Sequence, residues 1–311
     1  MECILKEPRL VLGIGELLWD VLSEGERLGG APANFAVMAS RLGNHGVILS
    51  RIGRDVRGRR AVESLDPLPA DTAHLQIDPN HPTGYVTVEF QAGQPAYTIH
   101  QPVAWDFLEM TDEWIGLAQR ADALCFGTLA QRSPDTRQTI QELAAQASSS
   151  SIRVFDVNLR SPYFSSEVIE ESLELATVVK MNDDEVPRIL SLLGLPALEH
   201  GPAALLTSAQ RLIEEFPGLN LVAITRGAHG SLLVAPDEWH EHPGIPTKVV
   251  DTIGAGDAFT AAMIHYLLRG ADLATLNEAG NRWGSWVASN SGAMPPLSDE
   301  TRDSIAAAIE G

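Results

Sequence analysis

The sequence predicts an α/β fold: a mostly parallel sheet sandwiched by helices, with a small β lid. Three observations predict it. Short apolar runs rich in β-branched residues recur along the chain. Between many of them lie longer stretches with apolar residues three and four apart, the spacing of one helix face. One region, 83–101, alternates like two antiparallel strands with no helix between them. Strands that alternate with helices imply parallel pairing, with helices covering both faces.

In chain order, RLVLGIG (9–15) reads as the first strand. ELLWDVLSEGERLGG (16–30) is too short for a helix and ends in glycines, so it is free to pair with a β element. PANFAVMASRLG (32–43) reads as a helix, with Pro32 suited to its first turn and Gly43 to its C-terminal cap. GVILSRIG (46–53) is the next strand run. In TGYVTVEFQAGQPAYTIHQ, two alternating runs flank AGQP, the pattern of a hairpin. A hairpin inserted into an α/β unit is a candidate lid, and segments 16–30 and 83–102 together form it in this reading, over the C-terminal edge of the sheet where open α/β folds place ligands. DALCFGTL, RVFDVNL, TVVKMN, NLVAITRG and GSLLVA supply further strands, with helical PDTRQTIQELAAQA and AALLTSAQRLIEEF among them. From Asp251 onward the helical runs GDAFTAAMIHYLLRG, TLNEAGNRWGSWVASNSGA and LSDETRDSIAAAIEG dominate. No linker and no internal repeat interrupts residues 1–311, which therefore read as a single domain.

Composition bounds the partners. With 41 acidic and 22 basic residues the formal charge is −19, which repels polyanions and argues against nucleic acid or an anionic membrane surface. Any phosphate must be held locally. Cys3 and Cys125 are too few for a disulfide framework and read as small thiols in a reducing compartment. Charges at Glu2, Lys6, Glu7 and Arg9 break up the apolar stretch a signal peptide needs, and no segment approaches the roughly 20 apolar residues of a membrane span. A cytoplasmic location is the expectation.

DTIGAGDAF (251–259) is the segment with the clearest chemistry. Phe259, Met263, Ile264, Leu267 and Leu268 make an apolar stripe, so a helix starts here and docks on the sheet. Its N-terminus then lies at the ligand edge. There the amides of Gly254, Ala255 and Gly256 can converge on one anion, helped by the helix dipole. A tight turn capped by an acid is the alternative reading. Asp257 beside such amides is suited to take the proton of an incoming hydroxyl while the amides take charge on a transferring phosphoryl group, and the dipole is expected to keep it ionised.

DTIGAGDAF resembles the C-terminal signature of the ribokinase-like, or PfkB, family of carbohydrate kinases, and GGAPANFA (29–36) resembles the family's N-terminal signature. The resemblance implies a ribokinase-like fold and an ATP-dependent sugar kinase. By position it makes Asp257 the catalytic base and Gly254, Ala255 and Gly256 the anion hole. Asn182 and Glu185, in KMNDDEV, match an N-x-x-E pattern that organises magnesium and phosphate through water. Thr225, Gly227 and Gly230, in TRGAHG, match the nucleotide loop. Asp20, Gly30 and Asn34 fall at the acceptor sugar, with Asn158 and Arg160 of FDVNLR beside them. A monovalent cation such as K⁺ would sit near Asp251, Ile253 and Gly292. Taken singly, a capped helix start, a Gly-rich turn or a surface ion pair accounts for several of these residues. Family lids pair between subunits, which allows a homodimer through the lid. GELLWD, LGGAPANFAVMASRLG and FDVNLR look most like fructokinases, so fructose is the leading acceptor, ahead of 2-keto-3-deoxygluconate, ribose or a nucleoside.

Other classes fit less well. No lysine follows a glycine, as a Walker loop requires, and GIGELL carries Leu18 where a dinucleotide fingerprint needs its third glycine. His240 and His242, around Glu241, lack a third ligand and read as a solvated strand or turn. A catalytically silent sugar sensor or scaffold of the same fold remains a rival of another class.

Overall fold

The first apolar run becomes the pivot of the main sheet. In the computed structural model, which describes residues 8–23, 25–91, 94–196 and 201–310, the strands are β1 (Leu10–Ile14), β2 (Leu18–Leu22), β3 (Gly25–Gly29), β4 (His45–Leu49), β5 (Arg51–Gly53), β6 (Gln76–Asp78), β7 (Gly84–Gln91), β8 (Gln94–Ile99), β9 (Ala123–Gly127), β10 (Ile152–Asp156), β11 (Val178–Asn182), β12 (Leu221–Thr225), β13 (Ser231–Val234) and β14 (Trp239–His242). The helices are α1 (Ala31–Arg41), α2 (Val56–Leu65), α3 (Asp112–Arg120), α4 (Pro134–Gln146), α5 (Ser166–Leu175), α6 (Glu185–Leu192), α7 (Pro202–Glu215), α8 (Ala255–Leu267), α9 (Leu273–Ala288) and α10 (Asp299–Glu310).

Eight strands form the main sheet in the order β14-β13-β12-β11-β10-β9-β1-β4. Every pairing from β4 to β12 is parallel, and β13 and β14 close the edge antiparallel. The mostly parallel sheet flanked by helices agrees with the fold class read from the sequence. The chain leaves β1 toward β4 and later returns on its other side as β9. That reversal opens a crevice at the C-terminal ends of the central strands.

Strand faces explain the two-sided core. β9 is buried along its whole length, as a strand covered on both faces must be. One face packs Leu12, Leu124, Phe155 and Val179 against α3 to α7. The other packs Val11, Cys125, Val154 and Val178 against α8 and α9. Cys125 is buried and its thiol is pushed well above the ordinary range, chiefly by desolvation. Cys3 lies outside the described residues.

Helix α1 has proline in its first turn, and Gly43 follows it at φ 88°, as the punctuation of 32–43 leads one to expect. Helix α8 is buried more widely than its expected stripe. Ala258, Thr260, Ala261 and Ala262 are buried along with Phe259, Met263 and Ile264, because α1, α9 and the sheet surround its first three turns, whereas Leu267 and Leu268 are half-buried.

Segments 18–29 and 84–99 build a separate four-stranded sheet, ordered β3-β2-β7-β8. The hairpin β7–β8 pairs antiparallel, β2 joins β7 in parallel, and β3 folds back on β2. Its turn at 92–93 lies outside the described residues. Among the described residues no helix is long and apolar enough to cross a membrane.

Candidate active site

The crevice collects residues that are far apart in sequence. Glu16 follows β1, Asn158 and Arg160 follow β10, and Asn182 and Thr225 end β11 and β12. Helices α1 and α8 point their N-termini at the same edge, carrying Asn34 and Asp257 in their first turns.

Gly254 starts α8 in the left-handed region, at φ 78°, and an added Cβ would lie 2.5 Å from Ala293. Only glycine fits that turn without strain. Among the described residues nothing accepts from the amides of Gly254, Gly256 or Asp257. The Ala255 amide differs from the sequence expectation: it donates to the Thr252 carbonyl at 3.2 Å. The reason is a tight turn that closes over residues 252–255 just before the helix begins. The free amides at this helix start are therefore those of Gly254, Gly256 and Asp257.

Asp257 is buried, and Asn34 Nδ2 donates to its Oδ2 at 2.7 Å. The carboxyl is ionised at neutral pH, as expected, but its pKa is not in the low range that a helix dipole alone would favour. Burial, then the nearby Asp156 charge, push it up to about 6, while Asn34, Lys180 and Arg160 pull the other way. Desolvation of this buried acid outweighs the dipole at one helix turn. The group is still mostly ionised at neutral pH, and more basic than a surface aspartate.

Asn34 Oδ1 and Glu16 Oε2 are buried acceptors with no partner among the described residues. Glu16 Oε1 receives the Ala31 amide at 3.3 Å, at the start of α1. Burial foremost, with some repulsion from Asp257, raises the Glu16 carboxyl to about 7. Gly30, at φ 120°, sits so close that a Cβ would meet the Glu16 carbonyl oxygen at 2.3 Å. Two orphaned acceptors next to an acid form a site for hydroxyl donors. Glu16 escaped the sequence reading, since GELLWD showed its Asp20 as the polar group and gave no sign that Glu16 folds inward.

Asp20 lies on β2, opposite Arg27 of β3. Burial raises its carboxyl, partly offset by Arg160. Asn158 adopts φ 40°, the one non-glycine residue in the left-handed region among the described residues, and Arg160 beside it is exposed. That strained backbone turns the chain at the end of β10, within the crevice.

Asn182 and Glu185 cap one another: Glu185 Oε2 accepts the Asn182 amide at 2.8 Å, and Asn182 Oδ1 accepts the Glu185 amide at 2.9 Å. Glu185 Oε1 accepts the Leu159 amide at 2.7 Å, which ties α6 to the end of β10. Thr225 ends β12 with its hydroxyl directed to the Met181 carbonyl at 3.4 Å. Gly227, at φ 54°, has nothing within 4 Å of an added Cβ, whereas a Cβ on Gly230 would meet the His242 carbonyl oxygen at 2.0 Å. Gly227 thus faces open space and Gly230 is required by packing.

Asp251, Ile253 and Gly292 do come together. Asp251 Oδ2 accepts from the Gly292 amide and from Arg27 Nη1, each at 3.0 Å, and Oδ1 accepts the Ile253 amide at 3.0 Å. Arg27 therefore links the small sheet to the turn ahead of α8, a contact between residues 224 positions apart that no local pattern signals.

Beneath the turn lies a buried pair. Lys180 Nζ donates to Asp156 Oδ1 at 3.2 Å, and Thr260 Oγ1 donates to Asp156 Oδ2 at 3.0 Å. Surrounding acids, Asp156 first, hold the Lys180 ammonium above its ordinary range against the opposing effect of burial.

The histidine pair departs from its expectation. His242 is not solvated: it is buried, and Nε2 meets Glu278 Oε2 at 2.8 Å, because α9 covers β14. His240 reaches Asn277 instead. Among the described residues no group of three or more His, Cys, Asp or Glu could hold a metal ion directly.

Comparison with known proteins bears on the whole chain. The family model for pfkB family carbohydrate kinase matches residues 1–300. An uncharacterized sugar kinase of Pyrococcus horikoshii is 31% identical over 291 residues, 88% of this chain and 87% of the relative. Its structure in complex with ATP superposes with a TM-score of 0.80 at 29% identity, covering 96% of this chain and 100% of that one. A fructokinase of Vibrio cholerae in fructose, ADP and calcium ion bound form gives a TM-score of 0.78 at 26% identity over 97% and 98% of the two chains. A double mutant of that enzyme in fructose, ADP and potassium ion bound form gives 0.79 at 26%, over 97% and 98%.

Proposed function

Because the chain belongs to the pfkB family of carbohydrate kinases, we propose that it transfers the γ-phosphoryl group of ATP to a primary hydroxyl of a sugar, with fructose the leading acceptor. The observation that carries this reading is Asp257: a buried acid at the start of α8, oriented by Asn34 and adjoining the free amides of Gly254 and Gly256. Family resemblance and the ATP- and fructose-bound relatives support the choice of donor and acceptor.

The sugar hydroxyl oxygen forms a bond to the γ-phosphorus as the bond from that phosphorus to the bridging oxygen of ADP breaks. The hydroxyl proton passes to the Asp257 carboxylate, and ADP and a sugar phosphate leave. An acid raised to about 6 is mostly deprotonated at neutral pH, yet basic enough to share the proton as the bond forms. Amides of Gly254, Gly256 and Asp257 take the charge on the phosphoryl oxygens, in a site where nothing needs to reorganise.

Acceptor recognition falls to Asp20, Gly30, Asn34, Asn158 and Arg160, with Glu16 added. A polyhydroxylated substrate supplies the donors that Glu16 Oε2 and Asn34 Oδ1 lack. The nucleotide phosphates run past Thr225, Gly227 and Gly230, where Gly227 leaves room for them.

Each Glu185 oxygen has accepted one amide and keeps a lone pair, which suits it to bind a water of a hydrated Mg²⁺ beside Asn182. Such an ion offsets phosphate charge, a service an acidic protein needs. A monovalent cation would use the backbone oxygens near Asp251, Ile253 and Gly292, because the Asp251 carboxylate is already taken by Arg27 and two amides. In this reading the small sheet of 18–29 and 84–99 acts as a lid over the sugar, offers the surface for a homodimer, and the enzyme works in the cytoplasm.

A coupled assay of ADP release tests the proposal across hexoses, pentoses, keto sugar acids and nucleosides with Mg-ATP. Fructose is expected to give the highest kcat/KM. A higher value for 2-keto-3-deoxygluconate, ribose or a nucleoside reassigns the acceptor. Sugar binding by calorimetry with no ADP release from any acceptor identifies a silent sensor or scaffold instead.

A further inference from the structure

Lysine is rare in this chain, and one of the three sits inside the sheet. Lys180 occupies β11 between Val179 and Met181, and parallel pairing sets it directly opposite Asp156 of β10. Both side chains lie on the face that packs α8, since Val154 and Val178, two residues earlier on each strand, belong to that core. The Thr260 hydroxyl lies between Asp156 Oδ2 and the Gly256 carbonyl, 3.0 Å from each, and shares its one proton between these two acceptors. An added Cβ on Gly256 would stand 2.8 Å from Lys180 Nζ. The ammonium therefore occupies the space that the missing side chain of Gly256 leaves open, directly under the free amides.

We propose that Lys180 is a positioning residue of the phosphoryl site: its ammonium holds the Gly256 turn in place through Asp156 and Thr260, and supplies fixed positive charge beneath the amides that receive the transferring group. The inference rests on the phosphoryl-transfer reading of Asp257 and its neighbouring amides.

Two features favour this role over a purely structural ion pair. A buried pair gives little net stability, because desolvating both charges offsets their attraction, and apolar residues of similar volume serve a core at least as well. The charge also lies where substrate charge arrives: the phosphoryl oxygens gain negative charge during transfer, and a positive group fixed in a water-poor site acts most strongly there. Gly256 is explained at the same time, as the residue that lets the ammonium reach the turn.

Two variants test the proposal, with ATP and fructose as probes, or the fastest acceptor of the panel if fructose is not it. Lys180→Met keeps chain length and removes charge. Lys180→Met/Asp156→Asn also relieves the acid left without its partner. Both are expected to lose about 100-fold in kcat, with KM for ATP and sugar within about 3-fold of the parent, because the charge acts on the transition state. A folded double variant with kcat within about 3-fold of the parent overturns the inference, as does a loss confined to KM. A double variant without a cooperative melt assigns the pair to folding and overturns it equally. Asp257→Asn separates the two levels of argument. If that variant turns over normally, the phosphoryl-transfer reading fails; if it is inactive while the double variant is fully active, only the role of Lys180 falls.

Discussion

Replacing Asn34 by alanine should move the pH dependence of turnover in a direction and by an amount that the structure specifies. Asn34 Nδ2 donates to Asp257 Oδ2 at 2.7 Å within the buried site, a bond that favours the charged carboxylate. A hydrogen bond to a charged group contributes about 1.5–3 kcal/mol. At 1.36 kcal/mol per pKa unit, its loss should raise Asp257 by about 1–2 units. Starting from about 6, the group would titrate at about 7–8 in Asn34→Ala. The base works deprotonated, so activity falls as pH drops through that value. The acid limb of the kcat profile should therefore shift alkaline by the same 1–2 units or so, with turnover at pH 7 reduced and much of it regained near pH 9. Glu16, at about 7, is raised partly by the Asp257 charge, so parent and Asn34→Ala are also compared in a Glu16→Gln background, where that neighbouring carboxyl no longer titrates. The assay is ADP release under saturating ATP and sugar, which removes the loss of sugar affinity that the same substitution brings. An acid limb that stays in place in a folded, active Asn34→Ala protein refutes the assignment of Asp257 as the titrating base.

Gly254→Ala should destabilise the fold by about 1–3 kcal/mol, since its φ of 78° disfavours a side chain and the new Cβ would press on Ala293; a lower melting temperature checks this, and an unchanged one contradicts the strained turn. Potassium should stimulate the parent only slightly, because Arg27 already neutralises Asp251, and stimulate Arg27→Met more strongly; rates in potassium against tetramethylammonium chloride at equal ionic strength decide it, and equal stimulation of both proteins contradicts the view of Arg27 as that counter-charge.

Local chemistry made part of the site readable. Two glycines around an alanine before an acid, followed by an apolar stripe, forecast a helix start, and α8 supplies it; the left-handed Gly254 that begins it is seen only in the fold. Pro32 and Gly43 marked the ends of α1, and the alternation of 83–101 marked the β7–β8 hairpin, because these signals act through nearest neighbours. What stayed hidden depends on contacts between distant segments. The register of β10 and β11 sets Asp156 against Lys180, and no local pattern contains it, although a lysine inside the apolar run TVVKMN was a hint of a buried partner. Burial lifted Asp257 and Glu16, and burial is a property of the assembled fold, not of their neighbours in sequence. The covering of His242 by α9 and the bond from the Ala255 amide to Thr252 likewise arise only once the segments pack.

The most direct measurement is sugar-dependent ADP formation by Asp257→Asn, paired with calorimetric titration of ATP. Asparagine preserves shape and cannot take the proton, so turnover should fall by about 100- to 10,000-fold while ATP affinity changes little. Turnover within a few-fold of the parent, in a protein that still binds ATP, would contradict the claim that this carboxylate deprotonates the acceptor.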